Sequence, residues 1–329
     1  MALGVYVRSY DILALMIVDW LLLLGVAATW GSVFLFVKKA LIYYTAWEVT
    51  GIRYVLCLCL LAPFLVRAIR SITRQTALPL GAVAIFGTGL PVLLLTLGQQ
   101  QINSATTAII NALTPLFAFL LGWFLFGTRL NLLQIAGIVI GFSGVVILSF
   151  ARNGLELSIN PIFAVLAISA TVSYGWTANY LRAKLPFVAA IDVTTITYTL
   201  TGGLSALLLI AWPGFLSKVA ATPVVPSVAY LVAMSLCSVL ILLGYYKLIH
   251  RRGALFGATV TYLTPAIAFG WGIVDAEPLG ALHAAGLAVI LTGVVIANLS
   301  RNRAAPVSSS ADPQLHLAAD APQAVRRLR

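Results

Sequence analysis

Long apolar stretches separated by short polar and charged segments run through most of the chain. A helix that crosses the hydrocarbon core of a bilayer needs about 20 apolar residues, and a charge near its centre is costly. Charge-free intervals therefore mark the predicted spans, and the polar residues from Gln99 to Ser104 divide the longest interval into two spans. This pattern predicts ten transmembrane helices, at residues 20–37, 49–66, two within 75–128, 130–151, 157–181, 193–217, 219–246, 253–274 and 278–300.

The composition points to the same class. Of the 329 residues, 61% are hydrophobic and 9% are charged, against about 25% charged in ordinary soluble domains. A water-soluble fold cannot bury so much apolar surface, so we expect an all-α integral membrane protein. The net charge of +11 comes from residues scattered between apolar runs, which favours contact with membrane lipids over binding to nucleic acid. Cys57, Cys59 and Cys237 show no metal-ligand spacing, and we expect neither a metal nor a cofactor.

The orientation follows from the Lys and Arg residues in alternate loops, because cytoplasmic loops are enriched in them. Arg53 lies near enough to the start of span two for its side chain to extend outward to the interface, so it is counted with the loop before that span. One side of the membrane then holds five basic residues: Lys38, Lys39, Arg53, Arg152 and Lys218. The other fifteen lie on the opposite side. This asymmetry predicts a multi-pass protein of a bacterial inner membrane with both termini in the cytoplasm.

The two halves of the chain repeat each other. Leu113-Thr114-Pro115 matches Leu263-Thr264-Pro265 at an offset of 150, and Gly144–Ile147 matches Gly293–Ile296 at an offset of 149. Chance similarity between apolar helices is the alternative, which ordered matches at proline, glycine and aromatic positions disfavour. Because each half holds five predicted helices, the second half enters the membrane from the opposite side, which gives an inverted repeat. Such halves suit alternating access around a site near the membrane midplane.

These patterns divide the chain into four parts. The first and second five-helix repeats are predicted at residues 16–151 and 157–300. Residues 1–15 are expected to be an N-terminal extension, with Met16 as an alternative start. Residues 304–329, rich in Ala, Pro, Ser and Asp, lack a sustained apolar face and predict a disordered cytoplasmic tail.

Several of these positions resemble the EamA-type family of the drug/metabolite transporter superfamily. The resemblance is carried by Trp30-Gly31-Ser32, by Arg53, by the block from Ala105 through Pro115 to Gly144, and by a second copy from Ala258 to Ala297. One departure is Gly127-Thr128-Arg129, where the family usually has Gly-Glu-Arg, although the second copy retains Glu277. The resemblance implies a ten-helix inner-membrane carrier that moves amino acids or related metabolites, most often outward. It covers about residues 16–300.

Polar and aromatic side chains at membrane depth are the candidate functional residues, because hydrocarbon penalises unsatisfied polar groups. We expect them to surround a cavity that offers hydrogen bonds and ring faces to a small solute. Contacts between helices, or aromatic belts at the interfaces, are the alternative role. Pro115 and Pro265 should kink equivalent helices and are the candidate hinges. The candidate solute-binding residues are Trp30, Ser32, Asn111, Thr114, Tyr174, Asn179, Tyr198, Tyr262 and Thr264.

The sequence also narrows the mechanism. No acidic residue lies deep in a predicted span, which argues against an antiporter built on one central carboxylate. A membrane-embedded enzyme would need a cluster of catalytic side chains at membrane depth, and none is present, so we do not expect an enzyme. A broad-specificity exporter of drugs or lipid intermediates stays open as the alternative to a metabolite carrier.

Gly137 and Gly141 permit close helix packing, within the chain or between the two copies of a homodimer.

Overall fold

The computed structural model describes residues 2–150, 161–222, 224–258 and 260–303, so the predicted tail at 304–329 lies outside the described residues. Within these ranges the regular structure is helical and contains no strand, which confirms the all-α class. The α-helices are α1 Ala2–Ala40, α2 Ala46–Leu61, α3 Leu65–Ile69, α4 Ala77–Val83, α5 Leu90–Gly98, α6 Ser104–Asn111, α7 Thr114–Phe126, α8 Leu132–Ser149, α9 Ile162–Lys184, α10 Ala190–Ala211, α11 Phe215–Ala221, α12 Val224–Ala258, α13 Val260–Val274 and α14 Ala281–Arg303.

Seven helical segments of the described chain are long and apolar enough to cross a membrane. They are Ile17–Ala40, Ala46–Ile69, Ala77–Gly98, Ser104–Phe126, Ile162–Lys184, Ala190–Ala211 and Val225–Tyr245. Three shorter apolar helices, Leu132–Leu148, Val260–Val274 and Ala281–Ala297, lie where spans five, nine and ten are predicted. Many large apolar side chains point outward, among them Phe124 and Val225, which are 76% and 82% exposed. Such a surface requires lipid as its solvent, and the chain is a multi-pass membrane protein.

Helix ends follow local capping rules. Thr45 caps α2 and forms a reciprocal capping box with Glu48, while Asn131 does the same for α8 with Gln134. In each box the side chains satisfy backbone N–H groups that a helix start leaves without an intrahelical acceptor. At the other end of α7, Gly127 adopts a left-handed conformation that glycine reaches without steric cost.

Prolines lie at or beside irregular turns in the second and third spans. The second span passes through a 3₁₀ turn, Ala62–Phe64, which contains Pro63. The third contains a π-helical turn, Ala84–Gly89, that ends just before Pro91. A π turn and a proline both disturb the regular backbone ladder, and hydrocarbon offers no substitute partner.

Side chains from other helices satisfy the carbonyl groups of this π turn. The Tyr54 hydroxyl lies 2.9 Å from the Thr88 carbonyl oxygen and 2.7 Å from that of Gly89. The Phe86 carbonyl accepts hydrogen bonds from the hydroxyls of Ser173 and Thr177. The irregular turn is thus held between α2 and α9, and its residue Thr88 lines a cavity between the helices.

Glycines allow α8 and α14 to pack backbone against backbone. A methyl group on Gly293 would lie 2.4 Å from the backbone nitrogen of Gly141 and 2.5 Å from the carbonyl oxygen of Gly137. No real side chain fits at these distances, so both helices require glycine there. Gly137 and Gly141 therefore serve packing within the chain, as the first of the two alternatives predicted.

Helices of the two halves alternate as neighbours. Helix α1 packs against α12 and α13, and α9 packs against α5 and α7. Three further pairs join the halves directly: α2 with α10, α6 with α13, and α8 with α14. The space left between these pairs is the candidate site.

Candidate solute-binding site

A cavity of about 430 Å³ lies between the two halves. This is within the range of roughly 300–1,000 Å³ that is usual for small-molecule sites. The first half contributes residues from α1, α2, α5, α6, α7 and the π turn, and the second half contributes residues from α9, α10, α12 and α13. Most of the wall is apolar or aromatic, with hydroxyl, amide and guanidinium groups at separate points.

The structure brings six of the nine predicted solute-binding residues and both candidate hinge prolines to this cavity. They are Trp30, Asn111, Thr114, Tyr174, Tyr198, Thr264, Pro115 and Pro265. Thr114–Pro115 and Thr264–Pro265, the pairs that match at an offset of 150 in the sequence, both line the wall. The repeat in the sequence therefore corresponds to residues that share one site in space.

The other three predicted residues lie elsewhere. The Ser32 hydroxyl donates to the Ala28 carbonyl and accepts a 2.8 Å hydrogen bond from the Trp271 indole. The Asn179 amide donates to the carbonyls of Ala118 and Gly175, which ties α9 to α7. Tyr262 packs against the apolar cluster around α8 and α14. These are contacts between and within helices.

The two prolines sit in different local structures. Helix α6 ends at Asn111 and α7 begins at Thr114, so Pro115 lies in the first turn of a new helix. Pro265 lies inside α13. In both places the preceding threonine hydroxyl donates to a nearby backbone carbonyl, Thr114 to Asn111 at 2.8 Å and Thr264 to Val260 at 2.9 Å. Thr114 thus supplies a donor to the carbonyl that Pro115 leaves without one, four residues before it. Thr264 instead bonds the carbonyl four residues before itself, within its own helix.

Aromatic rings meet in two pairs beside the cavity. Trp30 and Tyr245 contact edge to face, with ring centroids 6.3 Å apart, and join α1 to α12. Tyr54 and Tyr198 lie 6.2 Å apart and join α2 to α10. Trp30, Tyr198 and Tyr245 line the cavity, so these rings supply apolar faces for a bound solute.

The predicted outward extension of Arg53 is wrong. The side chain turns into the cavity, where Nε and Nη2 donate to the Ser238 hydroxyl of α12 at 3.2 and 2.9 Å. Hydrophobic thickness alone suggested that the residue could reach the interface, whereas the facing hydroxyl and the cavity provide a polar environment inside the protein. Arg53 is the one charged residue among the described residues that line the cavity.

Other polar lining residues were missed at the sequence level. They are Thr88, Thr96, Thr194, Thr197, Ser238 and Thr261. Serine and threonine are common in membrane helices because they can donate to the backbone of their own helix, as Thr96 does to Val92. A serine or threonine within a predicted span therefore did not indicate a cavity residue. Arg53 could have been recognised as a cavity residue from its position, because it lies seven residues into α2, well beyond the first turn.

Part of the chain matches a known protein family. The model of the EamA-like transporter family matches residues 19–150, the region that contains every first-half residue of the cavity. The first half of the chain is thus similar to the EamA-like transporter family. This match agrees with the resemblance drawn from the sequence.

Several proteins resemble this chain over more than four-fifths of its length. The uncharacterized inner membrane transporter YedA of Escherichia coli K12 is 25% identical over 83% of this chain and 88% of its own. YvbV of Bacillus subtilis, an uncharacterized transporter, is 25% identical over 84% and 90%. An uncharacterized transporter of Archaeoglobus fulgidus is 22% identical over 84% and 97%. A protein of known crystal structure, 20% identical, superposes with a TM-score of 0.60 over 87% of this chain and 98% of its own, so the two share a fold.

An ionic cluster joins the halves of this protein beside the end of α1. Lys38 lies 2.7 Å from the Asp275 carboxylate and 2.9 Å from that of Glu277, and Lys39 also pairs with Asp275. Glu277 accepts hydrogen bonds from the backbone N–H groups of Ser104 and Ala105 at the start of α6. The cluster therefore links α1 and α6 of the first half to the loop between α13 and α14.

The two carboxylates of this cluster are held in the charged form. Burial by itself would raise the pKa of the Glu277 carboxyl, but hydrogen bonds from Lys38 and Ser104 outweigh burial and lower that pKa below its ordinary value. The pKa of Asp275 is lowered in the same way, with Lys38 and Lys39 opposing the effect of burial. The cluster is thus ionised at neutral pH.

Proposed function

We propose that this protein is a secondary transporter that moves small metabolites, amino acids among them, out of the cell by alternating access. The observation that carries the proposal is the cavity between the halves, whose wall includes the equivalent pairs Thr114–Pro115 and Thr264–Pro265. A site shared by two repeats is what rocking of one half against the other requires. The cavity combines apolar ring faces with separate hydrogen-bonding groups, which suits a small amphipathic solute.

The pattern of helix neighbours supports a ten-helix inverted repeat. Exchanging the halves turns the packing of α1 on α12 and α13 into the packing of α9 on α5 and α7. The same exchange leaves the pairs α2–α10, α6–α13 and α8–α14 unchanged. A two-fold relation between five-helix halves accounts for all these contacts together. The three shorter apolar helices then complete ten spans with the seven longer ones.

The proposed location is the inner membrane, with both termini in the cytoplasm. The name of the Escherichia coli relative supports the location, and the distribution of Lys and Arg supports the orientation. In this orientation the ionic cluster of Lys38, Asp275 and Glu277 lies on the outer side. Outward release of a solute would require the contacts within this ionic cluster to separate.

The test is counterflow in liposomes that contain the purified protein. Vesicles loaded with an unlabelled candidate are diluted into the same radiolabelled candidate, over a panel of neutral, acidic and basic amino acids, and protein-free vesicles serve as the control. The proposal expects transient accumulation of at least one amino acid. Accumulation only of a lipophilic cation such as tetraphenylphosphonium would replace it with the drug-exporter alternative. No accumulation of any solute would refute transport of these classes.

A further inference from the structure

Arg53 occupies a place where a charge is costly. It lies seven residues into α2, about 10 Å along the helix axis at 1.5 Å per residue. Charged side chains within membrane spans are rare, face the protein interior and mark sites of function. Arg53 meets this description because it turns from α2 into the cavity and contacts α12.

Most of the hydrogen-bonding capacity of Arg53 is unused by the protein. A guanidinium group has five N–H donors in a planar fork. Two of them, on Nε and Nη2, point to the single hydroxyl oxygen of Ser238, which itself donates to the Met234 carbonyl. In the part of the chain whose side chains are described, no other acceptor is bonded to Arg53. The rest of the fork is therefore available on the cavity side.

The charge of Arg53 is also unbalanced. No carboxylate lines the cavity within the described residues. Four of the acidic side chains pair with other cations: Glu48 with Lys218, Asp192 with Arg67, and Asp275 and Glu277 with Lys38. The ionisable side chains that interact electrostatically with Arg53 are those of Tyr54, Cys57, Tyr174 and Tyr198, which are neutral. An anion that enters the cavity would be the first opposite charge that Arg53 meets.

We infer that Arg53 binds the carboxylate of the transported solute, and that the solute class is small monocarboxylates with an apolar body. A carboxylate matches the guanidinium fork in geometry and in charge. Arg53 is the one cation among the described lining residues, so it balances one carboxylate. A monocarboxylate therefore suits the cavity better than a dicarboxylate. The rings of Trp30, Tyr198 and Tyr245 offer apolar faces for the rest of the solute. This inference rests on the proposed function and names the chemistry of the same cavity.

Two sets of matched compounds test the carboxylate requirement. The first set is L-leucine, 4-methylpentanoate, L-leucinamide and 3-methylbutylamine, and the second is L-phenylalanine, 3-phenylpropionate, L-phenylalaninamide and 2-phenylethylamine. Within each set the apolar body is kept while the carboxylate or the ammonium group is removed. Binding is measured by the shift in thermal unfolding of the purified full chain, and transport by counterflow. We expect carboxylates to bind and exchange, and their amide and amine counterparts to do neither.

Variants then assign the effect to Arg53. Arg53→Gln should weaken carboxylate binding by about tenfold to a hundredfold, as expected for the loss of a charge-assisted bidentate contact, with Arg53→Lys in between. Arg129→Gln is the matched control, since Arg129 is exposed in the loop between α7 and α8. Unfolding without solute checks that each variant is folded. If Arg53→Gln does not fold, Ser238→Ala keeps the charge but removes its protein contact, and should weaken carboxylate binding about two- to tenfold.

The outcomes separate this inference from the proposed function. Equal binding of carboxylates and amides, no binding of any carboxylate, or carboxylate binding unchanged in both Arg53→Gln and Ser238→Ala would overturn the role of Arg53. In the first and third cases counterflow of an amino acid would still support the proposed function. In the second case counterflow of an amide or amine would still support transport of small metabolites. Absence of counterflow with every solute would instead remove the proposed function itself.

Discussion

Glu277 accepts a 2.7 Å hydrogen bond from the Ser104 hydroxyl, although the two residues lie 173 positions apart in the chain. The same carboxylate accepts the backbone N–H groups of Ser104 and Ala105, so it caps the start of α6 from the opposite half of the protein. Negative charge is favourable at a helix N-terminus. Lys38 completes the charge balance at 2.9 Å. Glu277 thus joins the two halves by one buried side chain.

Replacement of Glu277 by glutamine should destabilise the protein by about 1–3 kcal/mol at neutral pH, because the variant loses the charge-assisted hydrogen bonds and leaves Lys38 with one anion. The folded pKa of Glu277 lies below its ordinary value, so its stabilisation is present above about pH 4.3 and is lost as pH falls through the folded value. Thermal unfolding at pH 7 and at decreasing pH measures this. The gap between wild type and variant should narrow in acid, and a gap that widens would contradict the assignment.

Replacement of Tyr54 by phenylalanine should cost about 1–3 kcal/mol of stability, because carbonyls of the π turn would lose their donor at a buried position. Tyr43→Phe is the matched control, since no hydrogen bond to the Tyr43 hydroxyl is found among the described residues. Thermal unfolding of both variants measures the difference. Equal unfolding midpoints would show that the Tyr54 hydroxyl does not support the turn.

Replacement of Gly293 by alanine should destabilise the protein by about 1–3 kcal/mol or more, because the new methyl group would meet the backbone of α8. Gly203→Ala in α10 is the control, since a methyl group there meets nothing within 4 Å. A helical glycine replaced by alanine without a clash gains about 0.5–1 kcal/mol. The two variants should therefore shift the unfolding midpoint in opposite directions. A shift of the same sign would argue against close packing of α8 and α14.

Replacement of Asn111 by alanine should weaken transport more than stability. Asn111 lines the cavity, and its side-chain oxygen is buried with no hydrogen-bond partner among the described residues. Its removal therefore leaves no protein group unsatisfied, while a solute would lose a contact of about 1 kcal/mol, or roughly fivefold in apparent affinity. Counterflow at several solute concentrations and thermal unfolding measure the two effects. An unfolding midpoint that falls while affinity is unchanged would give Asn111 a structural role.

The proposed orientation predicts which loops a membrane-impermeant thiol reagent can reach. In a variant without Cys57, Cys59 and Cys237, a cysteine placed at Gly154, outside the described residues, should be labelled in intact cells. A cysteine at Thr73, in the loop between α3 and α4, should be labelled only after the membrane is opened. The reverse pattern would invert the orientation.

Features that depend on neighbouring residues in the chain were available from the sequence alone. Hydropathy over a window of about 20 residues reports whether a segment can replace water with lipid, so the apolar spans and the all-α class could be predicted. The repeated Thr-Pro pairs and the polar positions at depth pointed to Trp30, Asn111, Thr114 and Thr264, which the structure brings to one cavity. These residues are recognisable because polar groups and prolines have a known cost within a membrane helix.

Only the tertiary structure decided which way each side chain turns. Ser32 and Asn179 lie in the same helices as the cavity residues Trp30 and Tyr174, yet their partners on α13 and α7 direct them into helix contacts. Arg53 was expected to extend to the interface, and the Ser238 hydroxyl of a distant helix directs it inward. The physical reason is that depth in the membrane is a local property of the chain. Whether a side chain enters the cavity or a contact between helices depends on which helices pack against its own.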